Sequence, residues 1–150
     1  MANYFLDTSA LAKHYRLENG TPEVERILNE PASTHYISRL ATVEIQSVFA
    51  RKVRNHEITS QDLLSIQKQI ATEFSSRRFP VVRMLRGHFY EAERLIRTHA
   101  PTKALRTLDS LQLAVALGLH RQGKLDYFVC ADATLCKIAQ DEGLSVIQPQ

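Results

Sequence analysis

Two short segments of this chain are apolar at every position, and an aspartate follows each of them directly. Residues 4–6 (YFL) precede Asp7, and residues 127–131 (YFVCA) precede Asp132. A strand without a polar face must be covered on both sides, as it is in a parallel sheet that carries helices on its two faces. This pattern constrains the fold more than any other feature of the sequence.

The rest of the chain alternates between short strand-like segments and longer helix-like segments. Hydrophobic periodicity predicts strands at residues 3–7, 34–38, 79–84, 126–131 and 144–147. It predicts helices that begin at Ser9 and Thr21 and helices over residues 40–55, 59–75, 87–98, 109–120 and 134–141. This alternation predicts an α/β protein, a three-layer α/β/α sandwich with a short, mainly parallel central sheet. Since the 150 residues contain no linker or repeat, we expect one domain over residues 1–150.

Composition and local context predict a soluble, cytoplasmic protein. Hydrophobic residues make up 44% of the chain and charged residues 23%, as in ordinary globular proteins. The apolar start lacks a preceding basic region, unlike a secretion signal, and the apolar run at 113–119 is too short to cross a bilayer. Cys130 and Cys136 have no CxxC spacing and no neighbouring His, so we interpret both as small core residues.

The net charge of +3 is unevenly distributed along the chain. Residues 77–106 contain eight Lys or Arg and only two acids, whereas the remainder is acidic on balance. These bases have two interpretations: they form ordinary solvated helix faces, or together they form a phosphate-binding surface. The basic segment ends just before Asp109.

Four of the 16 acidic residues stand inside or directly after apolar segments: Asp7, Glu44, Asp109 and Asp132. Burying a carboxylate is costly unless it is paired or binds a metal. The carboxyl ends of parallel strands, where two of the four lie, are the usual ligand site of such sheets. Two carboxylates 4 Å apart repel by roughly 4 kcal/mol at an effective dielectric of about 20, so a convergent cluster needs protons or cations. Oxygen ligands, with the six His scattered, favour Mg²⁺ or Mn²⁺ over zinc.

Each of these carboxylates also has a purely structural interpretation. Asp7, Asp109 and Asp132 could each cap the helix that follows, because Asp is favoured at that position. Glu44 could pair with Arg51, two turns along the same helix face, or with another base. The sequence alone leaves these alternatives open.

Four fragments of the chain, in order, resemble the PIN-domain nucleases, especially the VapC-type toxins of bacterial toxin–antitoxin pairs. YFLDTSALAKHY is similar to the opening strand and D-T-S turn of that family, and YISRLATVEIQSVFARK to its second strand and Glu-bearing helix. LRTLDSLQLAVAL is similar to its R-x-x-D…A helix, and YFVCADATL to its last acidic strand end. The match covers nearly the whole chain.

The resemblance implies a Mg²⁺- or Mn²⁺-dependent endoribonuclease. It assigns the metal-binding and catalytic roles to four carboxylates: Asp7, Glu44, Asp109 and Asp132. Ser9 is implied as a group that supports Asp7, and Thr134 as one that supports Asp132, although Ala-Thr-Leu replaces a second polar residue and an aromatic that many relatives carry there. The implied partners are an RNA substrate, a small antitoxin and a second copy of the chain.

Arg51, Lys103 and Arg106 are candidates for guiding the RNA backbone. Arg106 lies one turn before Asp109, so it could instead neutralise the carboxylates when metal is absent. Three other functions remain: an RNA-processing PIN nuclease without an antitoxin, a non-catalytic PIN module that binds RNA or protein, and phosphotransfer on an aspartate. Phosphotransfer enzymes of the haloacid-dehalogenase kind need a second Asp two residues after the first, where this chain has Ser9.

The helices between Thr59 and Thr98 are expected to contribute part of the homodimer contact. Their apolar positions exceed what a small core requires, although ordinary core packing is the alternative interpretation. These positions are Leu63, Leu64, Ile66, Ile70, Phe74, Phe89, Leu95 and Ile96.

Overall fold

The computed structural model describes residues 1–150 and has five short strands that alternate with seven helices. The first half comprises β1 (Asn3–Leu6), α1 (Thr8–Tyr15), α2 (Thr21–Leu28), β2 (Thr34–Ser38), α3 (Ala41–Arg54) and α4 (Ser60–Ser75). The second half comprises β3 (Val81–Val82), α5 (Arg86–His99), α6 (Thr107–Arg121), β4 (Tyr127–Val129), α7 (Ala133–Asp141) and β5 (Val146–Ile147). Every predicted strand and helix is present, and the ends differ by a few residues.

All five strands are parallel, and their order in the sheet is β3-β2-β1-β4-β5. Phe5 in β1 is aligned with Tyr36 of β2 on one side and with Phe128 of β4 on the other. The chain therefore builds outward from β1 to β3 and then returns to the opposite side of β1. This reversal places the topological switch point between β1 and β4, where such sheets bind ligands.

Helices cover both faces of the sheet, as the apolar strands predicted. Because side chains alternate along a strand, Phe5 and Phe128 pack on one face, while Leu6 and Val129 pack on the other. The first face carries core residues of α5, α6 and α7, and the second carries core residues of α1 to α4. The predicted three-layer α/β/α fold is confirmed, with a sheet that is entirely parallel.

Two smaller predictions about local structure are also confirmed. The capping box at the start of α4 is present: the Thr59 hydroxyl accepts from the N–H of Asp62, and the Asp62 carboxylate accepts from the N–H of Thr59, both at 3.0 Å. Cys130 and Cys136 are buried core residues that form no disulfide. No helix combines the length and apolar character needed to span a bilayer.

The apolar positions of α4 and α5 belong mainly to the core. Ile66, Ile70 and Leu95 are buried, and Leu63, Phe74 and Ile96 are partly buried against the two apolar clusters. Only Leu64 and Phe89 of the eight positions are largely exposed. Core packing is therefore the correct interpretation for six of them, because the helices need these side chains to cover the sheet.

Candidate active site

The carboxyl ends of β1 and β4 bring Asp7 and Asp132 to the same edge of the sheet. The β1–β4 ladder continues to Asp7, whose N–H donates to the carbonyl of Val129 at 3.1 Å. Ser9 joins the two strand ends, because its hydroxyl donates to Oδ1 of Asp7 at 2.7 Å and accepts from the N–H of Ala131 at 3.0 Å. Ser9 therefore contacts Asp7, as the sequence resemblance implied.

Asp7 is a buried carboxylate that no base neutralises. Its side chain caps α1 by accepting from the N–H of Ala10 at 3.0 Å, so the structural interpretation of this residue is correct. Asp7 is only 3% exposed and forms no ion pair with any Lys, Arg or His. Burial raises its pKa to about 6, against the hydrogen bonds from Ala10 and Ser9, and the charge of Asp109 raises the pKa further. Capping thus leaves the charge uncompensated.

Asp109 lies inside the first turn of α6 and does not cap that helix. Because α6 begins at Thr107, with Arg106 as its N-cap residue, the interpretation of Asp109 as a helix cap is wrong. Burial raises the pKa of Asp109. The nearby charges of Asp132 and Glu44 raise the pKa too, while Arg106 lowers it. The two neighbouring carboxylates are therefore close enough to disfavour the ionisation of Asp109.

Arg106 lies between two of the carboxylates. Its Nε is 3.4 Å from Oδ2 of Asp109, and its second terminal nitrogen is 4.0 Å from Oδ2 of Asp132. Asp132 also caps α7 by accepting from the N–H of Leu135 at 2.8 Å. Since the Arg106 side chain is 76% exposed, its attraction to both partners is weak. The placement agrees with one of the two roles expected for Arg106, that of neutralising the carboxylates.

Glu44 extends from α3 towards residues that the sequence did not single out. Its Oε1 accepts from the Thr8 hydroxyl at 2.9 Å and from the Gln112 side-chain amide at 2.7 Å. Arg51 is exposed, and Glu44 forms no ion pair with it or with any other base, so that alternative is wrong. Gln112 could have been noticed, because it interrupts the apolar run of α6 as Glu44 interrupts that of α3.

Three residues of the predicted site, Arg51, Lys103 and Thr134, do not contact the carboxylates. Lys103 lies 3.9 Å from Asp141, at the carboxyl end of α7, whereas Asp132 is at the amino end. A helix of nine residues is about 13 Å long, so these two ends are well separated. The hydroxyl of Thr134 makes no hydrogen bond to any of the four acids; Asp132 accepts from the backbone N–H of Leu135.

Unpaired arginines line the same edge of the sheet, and the sequence had not identified all of them. Arg39 follows β2 directly, and its N–H donates to the carbonyl of Val82 at 2.8 Å. Arg83 follows β3, and Arg86 begins α5. All three arginines are exposed and form no ion pair. The carboxyl edge therefore carries acids at its centre and free cations towards β3.

The segment 77–106, which was expected to form a basic surface, has fewer unpaired bases than its sequence suggests. Half of its eight bases are engaged in ion pairs with neighbouring acids: Arg78, Arg94, Lys103 and Arg106. The bases without an ion pair include the two near the carboxyl end of β3, Arg83 and Arg86. The other two bases without an ion pair are Arg77 and Arg97, which are also exposed.

A sequence profile of the PIN domain matches residues 4–141 of the chain. The chain belongs to the PIN-domain family. No curated protein sequence matches it significantly.

Solved toxin structures share the fold of this PIN domain. VapBC2 of Rickettsia felis, in a structure with a promoter DNA fragment, aligns with a TM-score of 0.67 at 14% identity and 99% coverage of both chains. VapC20 of Mycobacterium tuberculosis, a sarcin-ricin-loop-cleaving toxin, aligns with a TM-score of 0.68 at 14% identity, covering 97% of this chain and 99% of that one. FitAcB of Neisseria gonorrhoeae aligns with a TM-score of 0.65 at 15% identity and 97% coverage of both chains. At these identities the likeness establishes the fold.

The donor chemistry of this PIN domain fits a hard divalent cation. Its four acids supply only oxygen ligands, and the buried charge of Asp7 has no cationic partner. As they stand, the side chains do not form a ready group of three metal ligands. Arg106 is placed between Asp109 and Asp132. The residues fit the ion by chemistry and charge, and binding requires the side chains to close around it.

Proposed function

We propose that this PIN domain is a Mg²⁺- or Mn²⁺-dependent endoribonuclease and the toxin of a toxin–antitoxin pair. It would act in the cytoplasm, where RNA is found, as one domain over residues 1–150. One observation carries the proposal: acidic residues lie at the switch point of a parallel sheet, and the most buried of them has no basic partner. Asp7, the most buried member, is 3% exposed and has no basic partner.

The metal-binding and catalytic roles fall to four residues in this proposal: Asp7, Glu44, Asp109 and Asp132. A bound divalent cation lowers the pKa of a water and shields the charge that develops on a phosphodiester during hydrolysis. Ser9 and the N–H of Ala10 hold the Asp7 carboxylate in a fixed orientation. Because burial raises the pKa of Asp7 to about 6, this ligand is ionised above that pH and available to a cation.

The unpaired arginines at the carboxyl edge support RNA as the substrate. Arg39 and Arg83 follow the two strands on one side of β1. Since neighbouring strands are about 4.8 Å apart, the end of β3 lies roughly 10 Å from the end of β1 along the sheet. A nucleic-acid backbone that passes the carboxylates could therefore bring a second phosphate to these arginines. Arg51, exposed on α3, could bind a further phosphate.

An antitoxin partner is supported by the fold and by the charge of the site. The structures with a similar fold include VapBC2, the FitAB complex and a toxin–antitoxin complex of Klebsiella pneumoniae. The position of Arg106 indicates how a guanidinium can be accommodated between Asp109 and Asp132. A partner that supplied a better-buried Arg would compete with metal for these carboxylates.

A homodimer is supported by exposed apolar side chains on and beside α5. Phe89 and Tyr90 of α5 are 52% and 63% exposed. Leu85, which precedes α5, and Leu108 of α6 are exposed to a similar degree. Large exposed apolar patches are characteristic of protein-interaction surfaces. We therefore assign the dimer contact to this surface and not to the buried positions of α4.

The experiment that tests the proposal compares RNA cleavage by the purified chain in EDTA, in Mg²⁺ and in Mn²⁺. We expect cleavage with either ion and none in EDTA, and we expect Asp109→Asn to be inactive with both ions. Glu142→Gln is the matched control, because Glu142 is a similarly enclosed acid that is ion-paired with Arg94 and His99 at the carboxyl end of α7. Full activity in excess chelator, or of Asp109→Asn, would refute the proposed chemistry.

The toxin assignment has a separate test. Sedimentation of the chain alone, and together with the product of the adjacent gene, should reveal a dimer and then a larger complex in which RNA cleavage is inhibited. A metal-dependent nuclease that remains monomeric and does not bind this neighbour would be an autonomous RNA-processing enzyme. A stable complex without any nuclease activity would indicate a binding module.

A further inference from the structure

Gln112 is a buried polar residue on an otherwise apolar stretch of α6. It is about 1% exposed, and its side-chain amide bonds to residues of three other elements. The amide nitrogen donates to the Thr8 hydroxyl at 3.0 Å and to Oε1 of Glu44 at 2.7 Å, and the amide oxygen accepts from the Ser38 hydroxyl at 2.9 Å. Burying an amide is unfavourable unless its donors and acceptor are satisfied, and here all three are.

The partners of Gln112 determine which way its amide points. A carboxylate accepts hydrogen bonds only, so Glu44 must face the NH₂ group of the amide. The Ser38 hydroxyl oxygen already accepts from the N–H of Ala41 at 3.2 Å, and its proton is free to be donated to the amide oxygen. The Thr8 hydroxyl, which accepts from Gln112, donates its own proton to Glu44. The network is thus closed and has one consistent direction.

The network engages one oxygen of Glu44 and no other. Thr8 and Gln112 both donate to Oε1, and Oε2 makes no hydrogen bond within the chain. Hydrogen bonds to a charged acceptor are stronger than neutral ones, so these two donors hold the carboxylate firmly. The arrangement orients Glu44 while one of its oxygens stays available to a ligand.

The same network ties Glu44 to the other acids of the site. Thr8 is the next residue after Asp7, and Gln112 lies three residues after Asp109 on the same face of α6. Displacing the amide of Gln112 would therefore alter the spacing of Glu44 from both aspartates. The buried Thr8 hydroxyl completes the connection, because it contacts both Glu44 of α3 and Gln112 of α6.

We propose that Gln112 is a positioning residue of this site: it orients Glu44 for divalent-metal binding and sets the separation of Glu44 from Asp109. The inference rests on the proposed function, because it needs Glu44 to be a metal ligand. Residues that orient a metal ligand typically contribute about 10- to 100-fold to metal affinity. Gln112 itself makes no contact with metal or RNA in this proposal.

The test replaces Gln112 with Met, which has a similar length and volume but no hydrogen-bonding amide. Two quantities are measured: the rise in Tm caused by Mn²⁺, and the Mn²⁺ concentration that gives half-maximal cleavage. We expect Gln112→Met to bind Mn²⁺ about 10- to 100-fold more weakly than the wild type. At saturating Mn²⁺ its cleavage rate should return to within a few-fold of the wild-type rate, because the ligands themselves are intact.

Ser110→Ala is the matched control for lost stability. Ser110 is buried on the same helix and donates to the carbonyl of Thr107 at 2.6 Å, but it has no bond to the Gln112 network. The control should lower Tm and keep the wild-type affinity for Mn²⁺. If Gln112→Met does not fold, Ser38→Ala provides the same measurement, because it removes the anchor of the Gln112 amide oxygen while both donors to Glu44 remain.

The outcomes separate this inference from the proposed function. A wild type that binds Mn²⁺ and a Gln112→Met variant (or Ser38→Ala, where that is used) that binds it equally well would overturn the positioning role alone. An equal loss of affinity in Ser110→Ala would also overturn it, since the loss would then reflect general destabilisation. A wild type that is not stabilised by Mn²⁺ and cleaves RNA in EDTA would overturn both.

Discussion

Glu142 and Asp7 are both enclosed carboxylates, but only Glu142 has bases beside it that compensate its charge. Glu142 lies beside two bases: Arg94 donates to it at 2.6 Å, and His99 contacts it at 2.6 Å. Although burial acts to raise its pKa, these hydrogen bonds and charges lower it. Asp7 has no such partner, and burial raises its pKa to about 6.

The same contrast separates the two ends of α7. At its carboxyl end, Glu142 and Glu91 share Arg94, and Glu91 also accepts from Arg121 at 2.7 Å, so that the pKa of Glu91 is lowered. At its amino end, Asp132 has only the exposed Arg106 nearby. Enclosed acids elsewhere in this fold are therefore paired with bases. The lack of buried compensation at the switch point is therefore a local property, of the kind that marks functional sites.

The largest expected effect is the loss of RNA cleavage when an acid of the site, and not an ion-paired acid, is replaced by its amide. Asp109→Asn should lower metal-dependent RNA cleavage by more than about 100-fold, beyond the loss typical of a residue that only orients a ligand. Glu142→Gln should leave cleavage unchanged and lower the free energy of unfolding by about 2 kcal/mol, because it weakens hydrogen bonds to charged partners. Cleavage assays and denaturant unfolding of both variants measure the contrast.

The opposite pattern would abolish the distinction between these two groups of acids. If Glu142→Gln lost cleavage as completely as Asp109→Asn, the network at the carboxyl end of α7 would belong to the active site. If Asp109→Asn lost stability and kept its activity, the carboxylate would be a structural residue.

A second effect concerns the pH dependence of stability. The pKa of Asp7 is about 6 in the folded chain and near 3.8 without burial, so between these values the folded state binds more protons than the unfolded state. Stability then falls as pH rises from about 4 to about 6, and the penalty, on the order of 3 kcal/mol, persists above that range. Metal-free Asp7→Asn should lack this decline and be more stable than the wild type at neutral pH.

Thermal unfolding across this pH range, without and with Mn²⁺, measures the effect. Mn²⁺ should stabilise the wild type more at neutral pH than at low pH, because protonation competes with the cation for Asp7. It should stabilise Asp7→Asn much less. A wild-type Tm that rises steadily between pH 4 and pH 6 by as much as that of Asp7→Asn would contradict the buried-charge interpretation.

The fold could be predicted from the sequence because its signals are local. Unbroken apolar segments such as residues 4–6 and the periodicity of the helices are visible within windows of a few residues. The same reasoning identified Asp7 and Asp132, because an acid directly after an apolar strand lies at the carboxyl edge of a parallel sheet. It misplaced the start of α6 by two residues and so made Asp109 a cap candidate, since helix ends depend on details that periodicity does not resolve.

The missed parts of the site depend on contacts between distant residues. Gln112 bonds to Glu44, 68 residues away, and to Thr8, 104 residues away, so its partners are invisible in a local pattern. Arg39 becomes notable only when the strand order places the end of β2 beside that of β1. Lys103 shows the opposite case, in which closeness in the sequence is misleading. It is six residues from Asp109 in the chain, but its side chain lies beside Asp141.

A smaller effect is expected from the free arginines at the carboxyl edge. Arg39→Ala and Arg83→Ala, made in the inactive Asp109→Asn chain, should each weaken RNA binding and reduce the salt dependence of log K by about 0.7, the value for one phosphate contact on a single strand. Lys124→Ala is the matched control, because Lys124 is exposed and unpaired at the opposite, amino edge of the sheet, before β4.

Filter-binding or fluorescence titrations at several salt concentrations provide the measurement. The control should change neither the affinity nor the slope. Equal effects of Lys124→Ala and Arg83→Ala would mean that RNA binds through overall charge and not along this edge.

The smallest expected effect, from Arg106→Ala, distinguishes the two roles of the one base within reach of the site acids. Arg106 lies 3.4 Å from Asp109 and 4.0 Å from Asp132 but is 76% exposed, so its ion pairs contribute about 0–1 kcal/mol. As a neutralising residue it competes with metal, and its removal should tighten Mn²⁺ binding by up to about five-fold, the equivalent of that energy. As a guide for RNA it would instead leave Mn²⁺ affinity unchanged and flatten the salt dependence of RNA binding. Calorimetric Mn²⁺ titration of the wild type and Arg106→Ala decides between them, and the geometry favours tighter binding because both carboxylates lose their only cationic neighbour.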